Sequence, residues 1–321
     1  MIPLHLEIVY MLIGIPSLIF YTIVIASLLK KSNKEHFGLA FYRIFAAICV
    51  FDCLRYIVDT VTYRLCMCPE FRFIYEKIQP SAFTTSLYFT SYFFGFCQIF
   101  GQTLITVNRF SAVVFPLKHR KFWSKYYRHS IFLTVLLGFA FSWHILFSNG
   151  RFNRHDIEGT DQFFFTFMFD EMNIWIIGKP MEFNSILSAL VNLSNSSIQF
   201  SLHTATIIIL IRQRKGIQDT SAGPRPKVEL NLFVLSLAMF VIGLSNGLYQ
   251  VVVTVLLYMD SPFIVPFLDY YFLAADLTSL SPPYLLMLVS SVARSTFIET
   301  VRCCRKKNEV LLFMSSNSHS S

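Results

Sequence analysis

From Phe83 to Val107 the chain runs for 25 residues without a charged side chain, and no other feature limits the fold so tightly. A run of that length crosses a bilayer, whose hydrocarbon core takes about 20 mostly apolar helical residues. Six further stretches are long enough to do the same, at 8–29, 39–61, 129–148, 184–211, 230–258 and 270–290. In lipid each backbone polar group must be satisfied internally, so these segments read as helices. Composition agrees: 54% of residues are apolar, 35 are Phe, and only 14% are charged, against about 25% in soluble domains. The sequence therefore predicts an all-α membrane protein, a seven-transmembrane helix bundle over residues 1–294. Residues 295–321 follow as a cytosolic tail, and the loops are too short for a second folded domain.

Lys and Arg collect on the cytosolic side of short loops. With the amino terminus outside, 19 of the 27 Lys and Arg fall inside, in clusters at 30–34, 109–128, 212–227 and 294–307. Arg64, Arg72, Lys77, Arg151, Arg154 and Lys179 then fall outside, where most loop acids also lie. The formal net charge of +8 is thus a topology signal, which excludes a nucleic-acid partner. No basic stretch precedes the first apolar run, so the first helix is expected to act as an uncleaved insertion signal.

The second span is the least apolar, carrying Arg43, Asp52, Arg55 and Asp59. At 100° per residue the last three share an arc of about 60°, and that face must look into the bundle. Arg43 lies near the cytosolic end, where its stem can snorkel. Asp276 stands in the outer half of the seventh span, at a depth similar to Arg55, and an intramembrane Arg55–Asp276 ion pair is expected. The alternative is that Arg55 satisfies itself on its own helix with Asp52 or Asp59.

Chemistry of other kinds is not encoded. There is no Gly-rich phosphate loop, no His-Glu-x-x-His, no Gly-x-Ser-x-Gly and no Cys-x-x-Cys, so neither an enzyme nor a cofactor is expected. Cys66 and Cys68 read as unbridged thiols: a bridge across one residue is strained, and no His cluster accompanies them to make a metal site. Asn192 and Asn195 match the glycosylation pattern only formally, since both lie inside a span. The long outer loop near 149–183, with its Phe163-Phe164-Phe165 run, is a candidate partial lid.

The exit of the third span carries the most specific motif. Asn108-Arg109-Phe110 is followed six residues on by Pro116-Leu117 and then by Trp123 in a basic segment. This order resembles the third helix and second inner loop of rhodopsin-like receptors, with Asn in place of the usual acid. In that form it is similar to the nematode serpentine chemoreceptors of the gamma and V classes. The resemblance extends to Ile15-Pro16-Ser17-Leu18-Ile19-Phe20-Tyr21, Phe41-Tyr42-Arg43, and Pro282-Pro283-Tyr284 with Ser290, Ser291 and Arg294.

What it implies is a rhodopsin-like topology and a G-protein-coupled chemosensory receptor, with Asn108, Arg109 and Phe110 coupling to a heterotrimeric G protein. The external small molecule is expected among Tyr88, Tyr92, Asn195, Tyr249, Gln250 and Asp276, polar positions in the outer parts of the spans. The plasma membrane of a nematode sensory neuron, and its cilium, is the implied address. A ligand-gated channel or transporter subunit is the rival reading. Two departures stand out: the sixth span lacks Cys-Trp-x-Pro, and no Cys is available to tie the outer end of the third helix to the second outer loop. After Arg294, Phe297, Val301 and Cys304 recur on one face, as in a short helix lying on membrane lipid, and Cys303 and Cys304 are candidate palmitoylation sites.

Overall fold

A computed structural model describes residues 4–30, 40–78, 81–156, 163–170, 180–217, 227–259, 271–300 and 302. Seven long helices carry it: α1 (Leu4–Leu29), α2 (Ala40–Asp59), α3 (Ala82–Val114), α4 (Pro116–Ser142), α5 (Pro180–Ile217), α6 (Lys227–Tyr258) and α7 (Tyr271–Val289). A tail helix, α8, covers 291–300. The seven form the membrane bundle. Its hub is α3, which packs against α2, α4, α5 and α6, while α1, α2 and α7 close the other side.

Close helix approach needs small residues in membrane bundles, and two glycines show it. A Cβ at Gly138 of α4 would lie 2.5 Å from Cys97 Sγ and 3.2 Å from the Phe93 carbonyl oxygen of α3. One at Gly14 of α1 would meet the Tyr56 hydroxyl of α2 at 1.6 Å. The apolar core sits towards the cytosol, where Phe41, Tyr42, Ile44 and Phe45 of α2 pack with Val24 and Leu28 of α1, Ile105 of α3, Leu232 and Leu235 of α6 and Leu286 of α7.

Several boundaries differ from the sequence reading. Beyond Asp59, α2 continues as a π turn (Thr60–Arg64), which makes Arg64 a buried residue of the bundle rather than an outer-loop cation. The basic segment after Arg109 is not a loop. Only Phe115 separates α3 from α4, Pro116 takes the first position of α4, and helix then runs through all the basic residues. Pro suits that place because its missing N–H would have had no intrahelical partner. On the outer side, β1 (Asn149–Asp156) pairs antiparallel with β2 (Phe163–Asp170), Asn149 opposite Asp170 and Asp156 opposite Phe163, so the long outer loop holds a β-hairpin.

Pro282 and Pro283 lie inside α7. The Tyr284 hydroxyl shares a 2.9 Å hydrogen bond with Ser17, and its ring stacks on Phe20 at 4.7 Å. The Phe297 ring of α8 meets Phe20 edge-on at 5.4 Å, which docks the tail helix on α1. Val301, Cys303 and Cys304 lie outside the described residues.

Candidate functional site: two ends of the bundle

In the outer half, the ionisable face of α2 is buried, with Asp52, Arg55 and Asp59 at most 7% exposed. Asp52 accepts from Gln98 Nε2 at 2.7 Å and from the Tyr21 hydroxyl at 3.4 Å. Arg55 donates to Gln98 Oε1 and, through Nε at 3.4 Å, to Asp59, whose other oxygen accepts from Ser91. Tyr21 also donates to the Ser279 carbonyl, so α1, α2, α3 and α7 share one polar network. Such a network is the expected fate of charges in lipid, where each buried group needs a partner.

The expected Arg55–Asp276 pair is replaced. Asp276 is held by Arg64, which also reaches the Tyr56 hydroxyl at 3.4 Å, while the carboxylate that Arg55 bridges is Asp59, at i+4 on its own helix. The cause is the π turn, which keeps the chain helical one turn further and turns Arg64 inward.

The six expected ligand-pocket residues do not form one cluster. Tyr88 and Tyr92 adjoin, with ring centroids 4.7 Å apart, and Tyr63 approaches Tyr88 at 6.3 Å. Asn195 instead accepts from Thr103 at 2.9 Å, and Gln199 donates to the same hydroxyl at 3.1 Å. Thr103 is eleven residues past Tyr92, about 16 Å along α3. Tyr249 and Gln250 are half-buried on α6, next to the turn where Thr254 donates to the Ser185 carbonyl of α5 at 3.2 Å. His144 is buried against Asn184 at 2.6 Å and packs its ring on Phe183, which makes it a packing residue.

The outer end of α3 carries a clamp that sequence reasoning missed. Thr84 Oγ1 donates to the Gly150 carbonyl at 2.6 Å, and Thr85 Oγ1 donates to the Ser148 carbonyl at 2.9 Å while accepting from the Gly150 N–H at 3.2 Å. These bonds fasten α3 to the start of β1, the place where a disulfide would sit in the receptors this chain resembles. Adjacent threonines in a span carry no signal of that role. The Tyr75 ring lies edge-on to Phe152 at 4.9 Å, and its hydroxyl donates to the Val61 carbonyl. Burial, then the nearby Cys66 and Cys68 thiols, pushes the Tyr75 phenol above its usual range. Cys66 and Cys68 are buried thiols whose sulfurs lie 3.3 Å from the Thr62 carbonyl and 3.6 Å from the Arg64 carbonyl.

At the inner end, Asn108 and Arg109 are almost wholly buried. The Arg109 guanidinium donates twice to Asn108 Oδ1, once at 3.1 Å, and lies 4.3 Å above the Phe41 ring centre. Asn108 Nδ2 is buried without a partner among the described residues. Phe110 is half-buried. One turn on, Ser111 Oγ accepts from Trp123 Nε1 at 2.7 Å, meets His119 Nδ1 at 3.0 Å and donates to the Asn108 carbonyl at 2.9 Å. Ser111 thus ties the arginine turn to the start of α4. Its position at i+3 from Asn108 is the only trace of this in the sequence.

A family model described as the Srg family chemoreceptor matches residues 7–297. The serpentine receptor class gamma-2 of Caenorhabditis elegans is 26% identical over 150 residues, 44% of this chain and 43% of that relative. The class gamma-16 receptor of the same nematode is 27% identical over 144 residues, 42% of each. Each alignment spans less than half the relative's own length.

Proposed function

Because the chain belongs to the Srg family of chemoreceptors, we propose that it binds an external small molecule in the outer half of the bundle and activates a heterotrimeric G protein at its inner face. The observation that carries this reading is the buried Arg109, held at the inner end of α3 by a neutral amide and an aromatic face. A guanidinium that only anchored the helix would snorkel into the headgroups. Arg109 is instead stored inside, where a modest shift of Phe41 or Asn108 releases it. Asn108 and Phe110 belong to the same coupling surface.

The ligand site we propose lies under the β-hairpin, with Tyr88 and Tyr92 as its aromatic wall and the Arg64–Asp276 pair as its charged floor. Pockets of this kind are apolar with a few convergent polar groups. The plasma membrane, and within it a sensory cilium, is the proposed address. The test expresses the full chain with a G-protein reporter and screens volatile and water-soluble compounds. With an agonist in hand, Arg109→Ala at normal surface level should abolish the evoked signal, and an undiminished signal would sink the coupling role.

A further inference from the structure

At the cytosolic end, between the start of α2 and the start of α4, lies a cavity of about 500 Å³. That is far more than the roughly 30 Å³ share of one water. Arg43, His119, Arg120, Lys121, Trp123 and Tyr127 are among its lining residues. Arg43 donates to the Tyr127 hydroxyl at 2.7 Å, and Arg128 donates to the same oxygen at 2.9 Å. No Asp or Glu occurs between Lys77 and His155. Among the described residues no carboxylate comes within salt-bridge distance of Arg43, Arg120 or Lys121. Among the described residues the positive charge lining the cavity therefore has no carboxylate partner, and basic pockets between membrane helices on the cytosolic side take phosphorylated headgroups.

We propose that this cavity binds the phosphorylated headgroup of an inner-leaflet lipid, with Arg43, Arg120 and Lys121 as the phosphate ligands. The rest of α4 favours a lipid over a soluble anion. Phe132 and Phe139 are 67% and 47% exposed within the chain, so they meet acyl chains. They follow Lys121 by 11 and 18 residues, which at 100° per residue places all three within about 20° of one stripe. A lipid whose tail lies along that stripe brings its headgroup to the mouth of the cavity. The coupling role proposed for Arg109 is not needed for this site.

The test places the full-length chain in nanodiscs of phosphatidylcholine doped, at matched charge, with phosphatidylinositol bisphosphate or with phosphatidylserine, and counts retained lipid by native mass spectrometry. Phosphatidylinositol bisphosphate should be retained about tenfold better, and equal retention of phosphatidylserine would overturn the proposal. As phosphate ligands both side chains make charge-assisted hydrogen bonds, so Arg120→Gln with Lys121→Gln should lower retention roughly twentyfold. The charge-matched control, Lys118→Gln with Lys125→Gln, removes two exposed cations that do not line the cavity. It should change retention less than twofold, and an equal loss in both double variants would mean surface charge alone. Soluble inositol trisphosphate competing as tightly as the lipid would make this a free-anion site. If the Arg120 and Lys121 variant keeps its lipid but loses G-protein activation, the cavity belongs to the G protein and the lipid assignment fails.

Discussion

The two ends of α3 are fastened by different chemistry. The outer end is tied by threonine hydroxyls to main-chain groups at the start of the hairpin, next to a network in which guanidinium meets carboxylate. At the inner end the acceptor facing the guanidinium is a neutral amide, set against an apolar core. A carboxylate adds a second charge to a guanidinium's bond, which an amide cannot, and the main-chain groups that hold the threonines cannot rotate away. In the mechanism proposed above, the outer frame stays fixed while Arg109 changes partners at the inner end.

The comparison breaks first at Arg64 and Asp276. Removing one partner of a buried ion pair costs about 3–5 kcal/mol, so Asp276→Ala should lower both surface level and thermal midpoint more than any other single change discussed. The exchange Asp276→Arg with Arg64→Asp should recover part of both, and a double variant no better than the worse single one would show that the pair does not hold the outer half.

Next comes the threonine clamp. Replacing Thr84 and Thr85 together by Val keeps the shape but removes the three hydrogen bonds to the hairpin and the two that the Thr84 hydroxyl makes with Ser81 at the start of α3, a loss of about 2–3 kcal/mol at the lower end of typical net values. An unchanged thermal midpoint would mean that the hairpin, and not the threonines, fixes the outer end.

Asn108→Asp sharpens the contrast from the other side. A carboxylate would hold Arg109 more firmly by about 1–2 kcal/mol and would also remove the buried donor that has no partner. Basal signalling should fall and thermal stability rise. Higher basal signalling would show that the amide is not what restrains the arginine.

Trp123→Phe gives the smallest effect. It deletes the bond from Trp123 Nε1 to Ser111 and keeps a ring in place, at about 1 kcal/mol. Signalling should persist with a slightly lower midpoint, whereas its complete loss would make the α3 to α4 tie part of the switch.

Much of this was legible in the sequence, for physical reasons. Length and hydropathy select helices in lipid, and the distribution of Lys and Arg orients them. The burial of Asp52, Arg55 and Asp59 follows from helical period. Their partners do not, because periodicity gives a face and not a neighbour. Arg64 is nine residues from Arg55, half a turn away at 100° per residue, so an ideal helix directs it elsewhere. Only the π turn makes it available to Asp276. The start of α4 was hidden for another reason. Charged residues at 118–128 read as a loop when apolarity is the guide, yet Lys and Arg are good helix formers once Pro116 starts the turn.

The threonine clamp also bears on how the protein matures. A tie made of hydroxyls and carbonyls needs no oxidant, so the outer end of α3 can close as soon as the hairpin reaches it, with no thiol exchange to await. It is equally indifferent to reductants. Purification in millimolar dithiothreitol should leave the thermal midpoint of this receptor where it was.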